Sequence, residues 1–146
     1  RFAELNRVFG LDVGDEILAA LGATLLEVSR DESLDEAHEL HVACRVGGEE
    51  MAIIVPQYSR YEEELAPAGD RAKAMAESFR TRVETMRVRG LSVTVSVGTA
   101  VFPGDGDTFD TLVDAADRAL YEASADGGNR VVAASSIAAP DIEYEL

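Results

Sequence analysis

Cysteine occurs once in the 146 residues, at Cys44, so no disulfide can form within the chain. In a strand, the default for such a residue is a buried, inert thiol. Basic residues are scarce as well: 13 Lys and Arg stand against 28 Asp and Glu, a formal charge of −15. A field of that sign disfavours nucleic acid and anionic membrane surfaces as partners and keeps the surface solvated. A nucleotide accompanied by its cation remains compatible with a local site. No apolar run reaches the length of about 18 residues that a membrane-spanning helix needs. Internal repeats and low-complexity segments are absent. Histidine is limited to His38 and His41, which with Cys44 recur at every third position. That spacing hints at a metal site, but on a strand positions 38 and 41 face opposite sides, so surface histidines are expected.

What remains is 47% hydrophobic and 28% charged, the balance of one soluble globular domain. Ile17, Leu18, Leu21, Leu25 and Val28 recur at three- and four-residue steps and predict a helix over 13–30. An acidic loop follows over 31–38. Apolar stretches at 40–46 and 51–56 predict two strands of a hairpin. Turn residues and clustered charge over 58–69 predict an exposed loop. A second helix spans 70–87, with Met75, Phe79, Val83 and Met86 on one side. Strict alternation of Leu91, Val93, Val95 and Val97 with Ser92, Thr94 and Ser96 predicts a strand over 91–101. After the turn at 103–106, Asp107 or Thr108 caps a helix over 108–125, with an apolar face of Leu112, Val113, Ala116, Ala119, Leu120 and Ala123. Gly127-Gly128 ends it, and 129–134 read as a last strand. The order predicts an α+β fold with helices covering a mostly antiparallel sheet. Residues 134–146, Ala/Ser-rich and then acidic, read as a tail or linker.

The hairpin carries the most informative stretch, Gly47-Gly48-Glu49-Glu50-Met51. Read alone, the glycine pair is a tight turn and the two carboxylates its solvated tip. Alternatively, the bare backbone lets a ligand lie close, and the carboxylates face a phosphate held through a hard divalent cation. Asn6 and Asp15 carry a similar pair of readings. Each stands where a helix cap belongs, and each has the hydrogen-bonding groups to read a base edge.

Taken in order, the motifs resemble the GGDEF domain of diguanylate cyclases. The glycine-carboxylate loop matches its signature. Upstream, Phe2-Ala3-Glu4-Leu5-Asn6 and Gly10-Leu11-Asp12-Val13-Gly14-Asp15 match the stretch Phe-Lys-x-x-Asn-Asp-x-x-Gly-His-x-x-Gly-Asp. Downstream, Ser96-Val97-Gly98, Asp117-Arg118-Ala119-Leu120-Tyr121-Glu122-Ala123 and Asn129-Arg130-Val131 match the strand, last helix and closing strand. The resemblance covers residues 1–133 and implies a nucleotide-cyclase-like fold with one further strand, central in the sheet, ahead of the first helix. That strand is absent from this sequence, and Arg1-Phe2 enters within a motif. We therefore expect the strand in a longer parent chain.

The resemblance also implies a chemistry. Two domains face each other, each with a GTP, and each 3′-hydroxyl attacks the other nucleotide's α-phosphate to give cyclic di-GMP, with Mg²⁺ or Mn²⁺ bridging phosphates and carboxylates. Carried over, Glu49 is the metal-binding and catalytic acid, Glu50 its catalytic neighbour, Gly47 and Gly48 the backbone against the nucleotide, and Asn6 and Asp15 the pair on the guanine edge. The implied partners are GTP or another guanine nucleotide and a second copy through the parent protein, in the cytoplasm or on the cytoplasmic side of a membrane-anchored chain. No nucleic acid and no membrane contact by this domain are expected. Three basic residues that touch phosphate in the family are Ala3, Ser124 and Gly128 here, with Arg130 out of register. Leu11, Arg7 and Met51 replace His, Asp and Phe. The family's product-inhibition motif Arg-x-x-Asp falls on His38 and His41, so feedback there is not expected. The expectation is a degenerate domain serving regulation, dimerisation or GTP sensing, against the alternative of an active diguanylate cyclase.

Overall fold

A computed structural model gives the structure of the chain and describes residues 1–31, 33, 41–56, 67–125 and 127–137. Four helices and two strand pairs are present: α1 (Phe2–Phe9), α2 (Leu11–Ser29), β1 (Val42–Gly47), β2 (Glu50–Ile54), α3 (Ala68–Thr85), β3 (Val97–Thr99), α4 (Phe109–Ser124) and β4 (Val131–Ala133). This is the expected α+β architecture. β1 and β2 pair antiparallel, β3 and β4 pair parallel, and no strand joins the two pairs among the described residues.

The helical periodicity of α2 translates directly into burial. Ile17, Leu18, Leu21, Leu25 and Val28 are all buried, Val28 completely. Met75, Phe79 and Val83 of α3 close on them to form the core. Ala43, Met51 and Ile53 of the hairpin pack on its edge, as do Val93, Val95 and Val97. Burying one such side chain stabilises the fold by about 1.5–3 kcal/mol, so α2 and α3 dominate the packing.

Elsewhere the structure departs from the sequence reading. Leu91, Val93, Val95 and Val97 do turn toward the core, but only Val97–Thr99 form a strand. Apart from the bridge between Val88 and Leu91, the backbone of 91–96 has no ladder partner among the described residues. Alternation places side chains; a strand also needs a neighbour. On α4 the buried positions are Ala115, Ala119 and Ala123, while Val113 is exposed. The strand beneath explains the rotation. β3 brings Gly98 so close to α4 that only the smallest side chains fit the contact. Thr108, not Asp107, caps α4. Residues 134–136 of the expected tail form a short 3-10 turn whose Ser136 Oγ donates to the Ala133 carbonyl. His38, the loop at 57–66 and residues 138–146 lie outside the described residues.

Candidate functional site

The turn of the hairpin lies one residue later than the sequence suggests. β1 and β2 pair Arg45 with Met51, and then Gly47 with Glu50. Val46 is thus an extra residue on β1, a bulge, and the two-residue loop is Gly48-Glu49 rather than Gly47-Gly48. Gly48 has φ +54, a conformation that favours glycine. The Arg45 Nε donates to the Gly48 carbonyl at 2.9 Å and braces the loop from below. Gly47 is different: its φ is not positive, and a Cβ there would meet nothing within 4 Å. Among the described residues, neither backbone conformation nor packing requires glycine at 47. Glu49 and Glu50 are both exposed.

Beside the hairpin runs a groove of about 450 Å³. One wall is α2, with Asp15, Leu18 and Gly22; the other is the hairpin, with Cys44, Arg45 and Met51. Its floor is apolar, and it carries one acid and one base, Asp15 and Arg45. The sequence reading missed Arg45. The available signal was its place two residues before the glycines; its pairing with Met51 follows from the bulge at Val46. Cys44 is half-buried in this wall, not sealed in the core as expected. The hairpin's position over α2 leaves the thiol edge uncovered.

The packing of α1 on α2 brings Asn6 to the residue before Asp15. Neither is a helix cap. Asn6 lies within α1, Asp15 in the second turn of α2, and the N-cap positions belong to Arg1 and Gly10. The Asn6 side chain rests on Gly14, the residue before Asp15. Its Oδ1 is buried and accepts no hydrogen bond. Asp15 is exposed at the groove. Glu49 and Glu50 do not line it, so the groove with Asp15 and the carboxylate tip of the hairpin are separate features.

The positions that carry phosphate-binding cations in the resembled family are bare. Ala3 and Ser124 are exposed, and Gly128 sits at φ +69 beside Ser96. Arg130 does not substitute for them: its Nη2 donates to the Glu122 carbonyl near the end of α4. His41 Nδ1 lies 3.0 Å from the Ser29 carbonyl oxygen. Among the described residues no three His, Cys, Asp or Glu converge as a metal cluster. The donor chemistry of Glu49 and Glu50 still fits Mg²⁺. That ion is commonly held by one or two carboxylates together with ligand phosphates, without an all-protein cage.

The chain is similar to known proteins in sequence and in fold. The sequence model of the family described as "Diguanylate cyclase, GGDEF domain" matches residues 1–130. The chain is 36% identical over 135 residues to Diguanylate cyclase DgcM of Escherichia coli strain K12, covering 92% of this chain and 28% of that protein. It is 32% identical over 142 residues to Response regulator PleD of Caulobacter vibrioides, covering 90% of this chain and 26% of that one. The chain therefore spans less than a third of the length of these relatives. Among solved structures, the active GGEEF domain of a diguanylate cyclase from Vibrio cholerae superposes with a TM-score of 0.68 at 29% identity, over 91% of this chain and 76% of that one. The GGDEF domain of DgcB from Caulobacter crescentus, in complex with c-di-GMP, gives 0.68 at 26% identity, over 92% and 72%. By the extent and order of these matches, the chain belongs to the GGDEF-domain family of diguanylate cyclases.

Proposed function

We propose that this domain binds a guanine nucleotide and serves a cyclic di-GMP signalling protein as a regulatory, dimerising or GTP-sensing module, with cyclase activity weak or lost. In this reading Asn6 and Asp15 hold the guanine edge, because the amide both donates and accepts and the carboxylate accepts from N1–H and N2–H. Gly47 and Gly48 let backbone lie against the nucleotide. Glu49, with Glu50 beside it, would hold Mg²⁺ or Mn²⁺ against the phosphates, and the ion's charge would offset theirs.

One observation carries the reading: the cationic positions are empty of charge while the base-reading pair is intact. Ala3, Ser124 and Gly128 offer no charge, and Arg130 is tied to the Glu122 carbonyl. A charge-assisted contact contributes about 1.5–3 kcal/mol, so three missing contacts weaken triphosphate binding by several powers of ten. A second reading, an active diguanylate cyclase, is favoured by the intact tip Gly47-Gly48-Glu49-Glu50 and its Arg45 brace. In it, two domains would each present a GTP, and each 3′-hydroxyl would displace pyrophosphate from the other's α-phosphate.

The test is to incubate the full-length protein with GTP and Mg²⁺ or Mn²⁺ and to look for cyclic di-GMP by mass. We expect saturable GTP binding with little or no product. Abundant product that disappears in Glu49→Ala establishes the second reading instead. Restoring the clamp with Ser124→Lys and Gly128→Arg is expected to tighten GTP binding at least about tenfold, even after the strain of an arginine in the left-handed region. No gain would refute the clamp argument.

A further inference from the structure

The contact between α1 and α2 is built on a single missing side chain. Gly14 is buried, and the space where its Cβ would stand is filled by the Asn6 amide. An alanine Cβ at 14 would lie 2.9 Å from Asn6 Cγ, closer still to Oδ1, and 3.2 Å from Phe2 Cζ. Phe2 and Asn6, one turn apart on α1, thus both rest on Gly14. The amide rests against α2 at Gly14 with Oδ1 buried and without a hydrogen bond. A buried acceptor left unpaired is costly, and nothing within the described chain repays it. The next residue along α2 is Asp15, at the groove.

We propose that Gly14 is a positioning residue for nucleotide recognition: the absence of its side chain seats the Asn6 amide oxygen against α2, leaving the amide NH2 as the group that, with Asp15, meets one edge of a guanine base. The proposal rests on the reading that Asn6 contacts the base, and it adds what holds Asn6 in register. The obstruction an alanine creates is with the end of a flexible side chain, so Gly14→Ala folds, and a helix-interior glycine replaced by alanine gains helix propensity. The amide has to swing away from its seat. Recognition is lost while the fold is kept.

The experiment measures GTP and ATP binding by calorimetry in the full-length protein, for wild type, Asn6→Ala, Gly14→Ala and the double variant, with a melting curve for each. Asn6→Ala is expected to weaken GTP binding about tenfold, the worth of one well-placed hydrogen bond. Gly14→Ala is expected to match it without a lowered melting temperature. The double variant is expected to bind no worse than Asn6→Ala alone, since the two changes remove one contact. In all three the preference for GTP over ATP falls, whereas a general structural defect lowers both affinities together. Wild-type GTP affinity in Gly14→Ala, with Asn6→Ala impaired, overturns the role of Gly14 alone. A double variant much weaker than Asn6→Ala also overturns it. An Asn6→Ala variant that binds GTP normally, or a wild type that binds none, removes the guanine reading and the positioning role with it.

Discussion

Two glycines on buried or packed elements should respond to alanine with opposite signs. Gly98 lies on β3 against α4, and a Cβ there would stand 2.9 Å from the Ala119 carbonyl carbon, with the Ala116 oxygen and Leu120 nitrogen nearer still. All three atoms are helix backbone, which no rotamer change can move. α4 would have to withdraw from β3, opening the contact made by Ala115, Ala119 and Ala123, the buried residues of that helix. Overpacking of this kind costs about 1–3 kcal/mol, or a fall in melting temperature of roughly 3–10 °C for a chain of this size. Gly22 is the counterpart. It lies inside α2, where a Cβ would meet nothing within 4 Å. Alanine there removes backbone freedom from the unfolded chain and stabilises by about 0.5–1 kcal/mol, a rise of roughly 2–4 °C. Paired thermal melts, with urea unfolding as a second measure, decide the matter. A Gly98→Ala protein that melts with wild type refutes the close approach of β3 to α4, and a destabilised Gly22→Ala refutes the open space beside α2.

The cap of α4 and one acid-sensitive cluster give further checks. Thr108 accepts from the Thr111 N–H while Thr111 Oγ accepts from the Thr108 N–H, so Thr108→Ala should cost about 1 kcal/mol in denaturant unfolding, and an unchanged midpoint would count against the cap. Glu84 accepts from the Asn129 amide at 2.9 Å and from Arg80 at 3.0 Å, which together hold its carboxyl below its ordinary value of 4.5. A lowered folded value means the carboxylate's stabilising effect is complete above about pH 4.5 and is lost as the pH falls through that lower value. The stability difference between wild type and Glu84→Gln should therefore be widest at neutral pH and close in acid; a gap independent of pH would contradict the cluster.

How much the sequence disclosed depended on how local the governing physics is. All five apolar positions assigned to the core face of α2 are buried, because a 3.6-residue period is a property of one helix alone. Three of the four on α3 behave the same way, and Met86 packs against the core they form. The strand expected over 91–101 fails over most of its length for the opposite reason: alternation was visible, but pairing depends on a neighbour that no local pattern announces. α4 shows a third case. Its larger apolar residues drew the predicted face, yet contact with Gly98 selects the alanine stripe, a choice made by the partner surface. The turn slipped by one residue because Val46 bulges from the ladder, and bulges are set by register across the hairpin.

The site divides along the same line. Residue types named from the motifs were legible one by one, since each carries its own donors and acceptors. Their juxtaposition was not, and it changes the argument. Asn6 comes to rest beside the residue before Asp15 because Gly10, at φ +94, ends α1 and lets it fold back on α2, and because Gly14 leaves room for the amide. Under the proposed function, base recognition would thus rest on the α1–α2 pair and not on the hairpin tip. The phosphate-contacting cations of the resembled family, by contrast, fall at three separated positions, 3, 124 and 128, on α1, at the end of α4 and after it. Two of these positions, Ala3 and Ser124, are exposed, so substitutions there disturb no buried contact. Loss of either wall of the base pocket would instead strike the α1–α2 contact. Under the proposed function, a chain that drifts from catalysis sheds its phosphate clamp before its guanine contacts, and uncharged residues at 3, 124 and 128 beside Asn6 and Asp15 are the combination that reading expects.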